Sequence, residues 1–240
     1  NMQIAGETID YGPCAFMDDF HPQKTFSSID QYGRYAWGNQ SSIGQWNLMR
    51  LADSILPLFD ADLEIAKEDA EAVIQIYNEQ FSNSIFRKFS RKLGLLGDQE
   101  SQNDLISETF RVMTENEVDF TLFFRHLTIL KEGGASDTLC GLFKDPSACE
   151  TWIALWREHL ARGKGSDQQC LEVMRTNNPV LIPRNHRIAE AIEAGENGDF
   201  APFHRLVDAL EKPFEENITY ADLQTPPAPE EIVHETFCGT

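Results

Sequence analysis

Positive charge is scarce in this sequence. Twenty Lys and Arg stand against 39 Asp and Glu over 240 residues, a formal net charge of −19. Such a surface repels phosphate backbones and anionic headgroups, which argues against broad binding to nucleic acid or to a membrane. No run of about 18 apolar residues is present, so no segment reads as a spanning helix. The start, Asn1-Met2-Gln3-Ile4-Ala5-Gly6-Glu7, has neither a basic region nor a long apolar one, the two marks of a secretory signal. A first residue other than Met points to a chain that begins inside a longer gene product. Cysteine is sparse too: Cys14, Cys140, Cys149, Cys170 and Cys238, with no C-x-x-C pair. A zinc ribbon or thioredoxin-type site therefore has no support, and an odd, small number of thiols favours a reducing, intracellular compartment. In that setting the two N-x-[ST] matches, at Asn39 and Asn217, read as chance.

Other chemistry-bearing patterns fail on spacing. Asp60, Asp62, Glu64 and Glu71 lack the turn glycine of a calcium loop, since Ile65 stands there, and read instead as a solvated helix start. Gly163-Lys164-Gly165-Ser166 lacks the upstream glycine and preceding strand of a phosphate loop. The six His residues form no H-E-x-x-H.

What is present is helix. With 41 % hydrophobic residues the chain can bury a sizeable core. Residues 1–40, rich in Gly, Pro and aromatics, carry no helical period and read as loops and short strands. From Ser41 the pattern turns helical, with Ser41 or Ser42 as cap and a stop near Pro57. Ala66, Ala70, Val73, Tyr77, Phe81, Ile85, Phe89 and Leu93 then recur at steps of three or four up to Gly94. Further helices follow around Phe110, after a cap at Asp119, and around Trp152 and Trp156, a pair read as core. Others end before Pro179, stop near Gly195 or Gly198, and start from a cap at Asp199. The basic run Phe86–Lys92 reads as a helix C-terminus, where cations suit the macrodipole. About eight helices span 41–212, and 213–240, with Pro226-Pro227-Ala228-Pro229, reads as an extended acidic tail.

Candidate chemistry lies at the leading edge. Asp10 stands in Thr8-Ile9-Asp10-Tyr11-Gly12-Pro13, a carboxylate before an aromatic and a glycine, which resembles the metal-holding D-F-G element of protein kinases. An Asn amide oxygen and an Asp carboxylate suit a hard divalent cation. The neighbourhood adds Asn1-Met2, Phe16-Met17-Asp18, Gly33-Arg34-Tyr35, Asn39-Gln40 and Trp46-Asn47-Leu48. Lys92-Leu93-Gly94-Leu95, Val118-Asp119-Phe120-Thr121, Met174-Arg175, Asn178-Pro179, Arg184-Asn185 and Gly198-Asp199-Phe200 follow in order. Together these resemble the SelO/YdiU family of pseudokinase-fold protein adenylyltransferases over essentially the whole chain.

The resemblance implies a mainly α fold, the C-lobe of a protein-kinase-like architecture behind a metal-binding, activation-segment-like region at 1–40. It implies transfer of AMP from ATP to Ser, Thr or Tyr hydroxyls of proteins, with release of pyrophosphate. It makes Asn1 and Asp10 ligands of Mg²⁺ or Mn²⁺, Asp10 reaching ATP through that metal. No catalytic residue falls in the chain, because the family's proton-accepting Asp immediately precedes Asn1. The glycine-rich loop, the phosphate-binding Lys and the nucleotide-gripping arginines are likewise absent, so the fragment is expected to be inactive alone. Cys238 is the redox candidate that the family's C-terminal Cys suggests. The partner thiol of some members aligns with Phe26, which rules out that disulfide here and leaves Cys14 as a substitute. UMP transfer from UTP, kinase-type phosphoryl transfer and a non-catalytic helical interaction module stand as alternatives. A monomer is expected, in the bacterial cytoplasm or, for a eukaryotic source, in the mitochondrion.

Overall fold

The computed structural model describes residues 15–97 and 102–236. Asn1, Asp10, Cys14 and Cys238 lie outside the described residues. The described chain is mainly helical. Its α-helices are α1 (Gln40–Ile55), α2 (Leu63–Lys92), α3 (Asn103–Asn116), α4 (Phe120–Lys131), α5 (Asp137–Cys140), α6 (Pro146–Arg162), α7 (Asp167–Asn177), α8 (Asn185–Glu196) and α9 (Ala201–Leu210). The count exceeds the expected eight by the single short turn of α5.

Several helix starts follow the local chemistry. The Asp62 carboxylate accepts the Glu64 N–H at 2.9 Å and opens α2, and Asp119 accepts from Leu122 N–H at 2.8 Å and opens α4. Ser166 and Gln169 exchange side-chain and backbone bonds in a capping box at α7. Asp199, expected as the cap of α9, sits one residue before the cap position, which Phe200 holds, and its carboxylate accepts from Ala201 N–H at 2.9 Å. The start of α1 differs. It begins at Gln40, so neither Ser41 nor Ser42 caps it; Asn39 occupies the cap position and spends its side chain on Gly33 O instead, 2.7 Å away.

Among the described residues of the leading edge, the expected short strands reduce to one antiparallel bridge, Asp19 to Asp119, made by Phe20 N–H to Val118 O (2.9 Å) and Phe120 N–H to Asp18 O (2.8 Å). It plants Phe20, only 1 % exposed, in an aromatic cluster with Trp37, Phe89, Phe110, Phe120 and Phe124. Burying one aromatic side chain of this kind contributes about 1.5–3 kcal/mol, enough to hold a loop with no ladder of its own. The main core continues through Leu93, Phe123, Leu127 and Met174 to the stacked Trp152 and Trp156. Both indoles are core, as expected, and both are satisfied: Trp152 Nε1 donates to Thr109 Oγ1 at 3.1 Å and Trp156 Nε1 to Leu93 O at 2.9 Å.

The apolar stripe of α2 is only partly used. Ala66, Ala70 and Phe89 are buried, whereas Val73 lies exposed. At 1.5 Å rise per residue a helix this long spans about 45 Å, more than the core behind it. The segment after Pro213, expected to be extended, instead folds back. Val180 N–H donates to Pro213 O at 2.7 Å, a 3-10 stretch runs over Ile218–Gln224, and Leu223 joins Leu181, Leu206 and Ala209 in a second, smaller core.

Candidate functional site

Among the described residues, the one that follows the Asp10 element most closely and is tied down by side-chain bonds is Phe16. Asn185, at the first turn of α8, accepts Phe16 N–H on Oδ1 and donates Nδ2–H to Phe16 O, both at 2.8 Å. This reciprocal pair replaces the missing β-ladder with one amide side chain. Beside it, Arg184 is 1 % exposed and holds two carboxylates. Its guanidinium pairs with Asp18 and, at 2.7 Å, with Asp119, while its Nε–H donates to Gln224 O at 3.1 Å. Burial works against the charge of Arg184, but Asp119 and Asp18 outweigh it and raise the group above its ordinary range, so the guanidinium stays protonated. One arginine thus joins the leading loop, the α4 start and the tail.

A second junction lies at the end of α2. Lys92, read as a helix-end cation, turns inward. Its Nζ donates to Asn177 O at 2.9 Å and sits 4.7 Å from the centre of the Phe124 ring. Among the described residues no carboxylate pairs with it, and burial pushes its pKa down to about 8. Asn178, fully buried, donates Nδ2–H to Lys92 O and to Thr128 Oγ1, each at 2.9 Å. Gly94 then turns the chain at φ +70°, and an added Cβ there would lie 2.7 Å from Met174 Sδ.

Between the loop of residues 27–35 and α1 runs an open groove of about 830 Å³, walled by Asp30, Tyr32, Arg34, Tyr35 and Trp46 among others. The Asp30 carboxylate accepts the N–H groups of Arg34 and Tyr35, both at 2.8 Å, and Arg34 lies 4.3 Å over the Trp46 indole. Tyr32 is 96 % exposed. The tail reaches the same loop: Ser28 N–H donates to Thr236 O at 2.7 Å and Thr236 Oγ1–H to Phe26 O at 3.1 Å. The described tail, ending at Thr236, is therefore held at Phe26 and Ser28 by backbone and hydroxyl bonds.

The motifs quoted from the sequence are thus brought together. Asp18, Asp119, Arg184 and Asn185 form one clamp; Lys92, Gly94, Met174 and Asn178 form one junction. Sequence reasoning gave Asp119 only a capping role and gave Arg184 none. No spacing rule links residues 166 positions apart.

This ordered set of joints matches a known pattern. A family profile described as Protein adenylyltransferase SelO covers residues 1–211. The chain belongs to the SelO family. Proteins named Protein nucleotidyltransferase YdiU from Rhizobium johnstonii and Nitrobacter hamburgensis are each 45 % identical to it over its whole length, matching 48 % of theirs. The Agrobacterium fabrum protein of the same name is 45 % identical and matched over 49 % of its length. The chain spans about half the length of the curated relatives it matches. Family and relatives alike carry the names of nucleotidyl-transferring enzymes, so the family is one of transferases. Among the described residues no helix is long and apolar enough to cross a membrane, and no three His, Cys, Asp or Glu side chains group as metal ligands.

Proposed function

We propose that this chain supplies the C-terminal half of a protein adenylyltransferase, which moves AMP from ATP to Ser, Thr or Tyr hydroxyls of protein substrates. The observation that supports this reading is the clamp: a few positions after Asp10, Asn185 fastens Phe16 to the start of α8 and Arg184 ties Asp18 to Asp119 at the start of α4. A carboxylate that must face phosphates needs such a fixed anchor, because misplacement by about 1 Å costs about 100-fold in rate.

Asn1 and Asp10 offer one amide and one carboxylate oxygen, a donor set that suits Mg²⁺ or Mn²⁺. The cation's chemistry there is neutralisation and alignment of the ATP phosphates. In the reaction the substrate hydroxyl oxygen attacks the α-phosphorus, the bond from that phosphorus to the α,β-bridging oxygen breaks, and pyrophosphate leaves. The hydroxyl proton passes to the carboxylate that the family pattern places just before Asn1. A monomeric, cytoplasmic enzyme built as a kinase-like lobe completes the proposal. The 240 residues alone are inactive in this reading.

The test is transfer of radiolabel to protein by the full-length enzyme. Label from the α-phosphate of ATP is expected to appear on protein, and Asp10→Ala is expected to reduce it by more than about 100-fold. Undiminished labelling in that variant overturns the metal role of Asp10. Label arriving from the γ-phosphate selects phosphoryl transfer instead, and a preference for UTP selects uridylyl transfer.

A further inference from the structure

Two thiols outside the clamp face each other. Cys140 ends α5 and Cys149 lies in the first turns of α6, and their sulfurs are 2.8 Å apart. A disulfide bond is about 2.05 Å long, so closing the pair asks for a movement of under about 1 Å. The connecting turn is already rigid without a covalent link. Phe143 N–H donates to Cys140 O at 3.1 Å, and Asp145 N–H donates to Asn116 Oδ1 at 2.9 Å. The Asp145 carboxylate caps α6 by accepting from Ser147 N–H at 2.9 Å, and Leu139 and Phe143 are buried on either side of the turn. Among the described residues no third ligating side chain joins the two sulfurs, so they do not make up a tetrahedral zinc site.

We propose that Cys140 and Cys149 form a redox-active dithiol that closes to a disulfide under hydroperoxide and reopens with a dithiol reductant. Cys140 keeps a 7 % exposed edge while Cys149 has none, so the oxidant meets Cys140 first. The Cys140 thiolate attacks the terminal peroxide oxygen, the O–O bond breaks, and Cys140 becomes a sulfenic acid with release of water or alcohol. The Cys149 sulfur then attacks the Cys140 sulfur. The S–O bond breaks, the S–S bond forms, and the Cys149 proton leaves with the hydroxyl as water. Overall, two thiols lose two electrons and two protons to one hydroperoxide. Burial pushes the Cys149 thiol up, so it remains protonated near neutrality and the second step speeds up with rising pH. The resulting bridge ties α5 to α6 on the platform whose α4 start carries Asp119. Cys170, buried on α7, has no such partner thiol in the described structure and serves as an internal control.

The experiment is non-reducing peptide mapping of the full-length protein after brief hydrogen peroxide treatment and thiol blocking. Trypsin cuts after Lys131, Lys144 and Arg157, so the bridge is expected as peptides 132–144 and 145–157 linked together and lost on reduction. Cys170 is expected to stay alkylated. The loop entropy of a ring this small predicts a rise in melting temperature of about 5–10 °C for a unit of this size. Cys149→Ser is expected to lose the bridge and to leave Cys140 as a sulfenic acid that dimedone traps. Recovery of both residues fully alkylated after oxidation overturns the proposal, as does a bridge from either one to a different cysteine. The wild-type map decides without any variant having to fold.

Discussion

Arg184 shows how one side chain can organise distant parts of a chain. Its charge is buried, and the cost of burying it is offset only because Asp18 and Asp119 both reach it. Removing it strands two carboxylates, so Arg184→Met is expected to destabilise the protein by about 3–5 kcal/mol. Urea unfolding measures this, and a loss below about 1 kcal/mol would show that water satisfies the carboxylates instead. Lys92 makes a different residue-scale prediction. Its pKa falls from 10.5 to about 8 through burial. Between these values the unfolded chain holds a proton that the folded chain has released, so Lys92's contribution to stability rises with pH across that window. Below pH 8 both states are protonated and the penalty is constant. Lys92→Met removes the titration. Its stability relative to wild type is therefore expected to fall by about 1–3 kcal/mol between pH 8 and 10.5. A gap that stays flat across that range would place the ammonium in water.

At the scale of elements, the end of α2 is a tightly constrained turn. Gly94 adopts φ +70° and sits against Met174, which is buried. A side chain there carries the left-handed backbone cost of about 1–2 kcal/mol and also displaces a packed thioether. Gly94→Ala is expected to cost about 2–4 kcal/mol in thermal or urea unfolding. A cost under 1 kcal/mol would mean that Met174 has free space to retreat. The same turn was legible in sequence, because a glycine after a long periodic stripe is a natural stop. The start of α1 was not. Two serines offered a cap, but the cap position fell at Asn39, two residues before Ser41, with its side chain taken by the nearby carbonyl of Gly33.

For the whole molecule, the two cores have different origins. The larger one gathers aromatics from the leading loop and from α2, α3, α4 and α6; the smaller one joins α8, α9 and the tail. The tail is therefore part of the fold, fastened by Arg205 to Asp222 at 2.6 and 2.8 Å and by Thr236 to the loop at Phe26 and Ser28. The acidity of the surface belongs to this half. In the proposed enzyme the nucleotide-gripping cations lie upstream, so the 240-residue chain by itself is expected to bind ATP more weakly than about millimolar. Micromolar binding by calorimetry would contradict that division of labour, since it corresponds to about 8 kcal/mol of contacts within this half.

Most helix positions, the core role of Trp152 and Trp156, and the cap at Asp119 were determined by the sequence itself. Periodicity and capping are local, and each can be read within a few residues. Ordered family motifs determined the family in the same way, residue by residue. Only tertiary structure decided that Asp18, Asp119 and Arg184 meet, that Lys92 turns inward, that the tail folds back, and that Cys140 and Cys149 touch. These are contacts between separate helices and loops, or across turns. They depend on how elements pack, and burial turns each isolated charge or thiol into a partnered one.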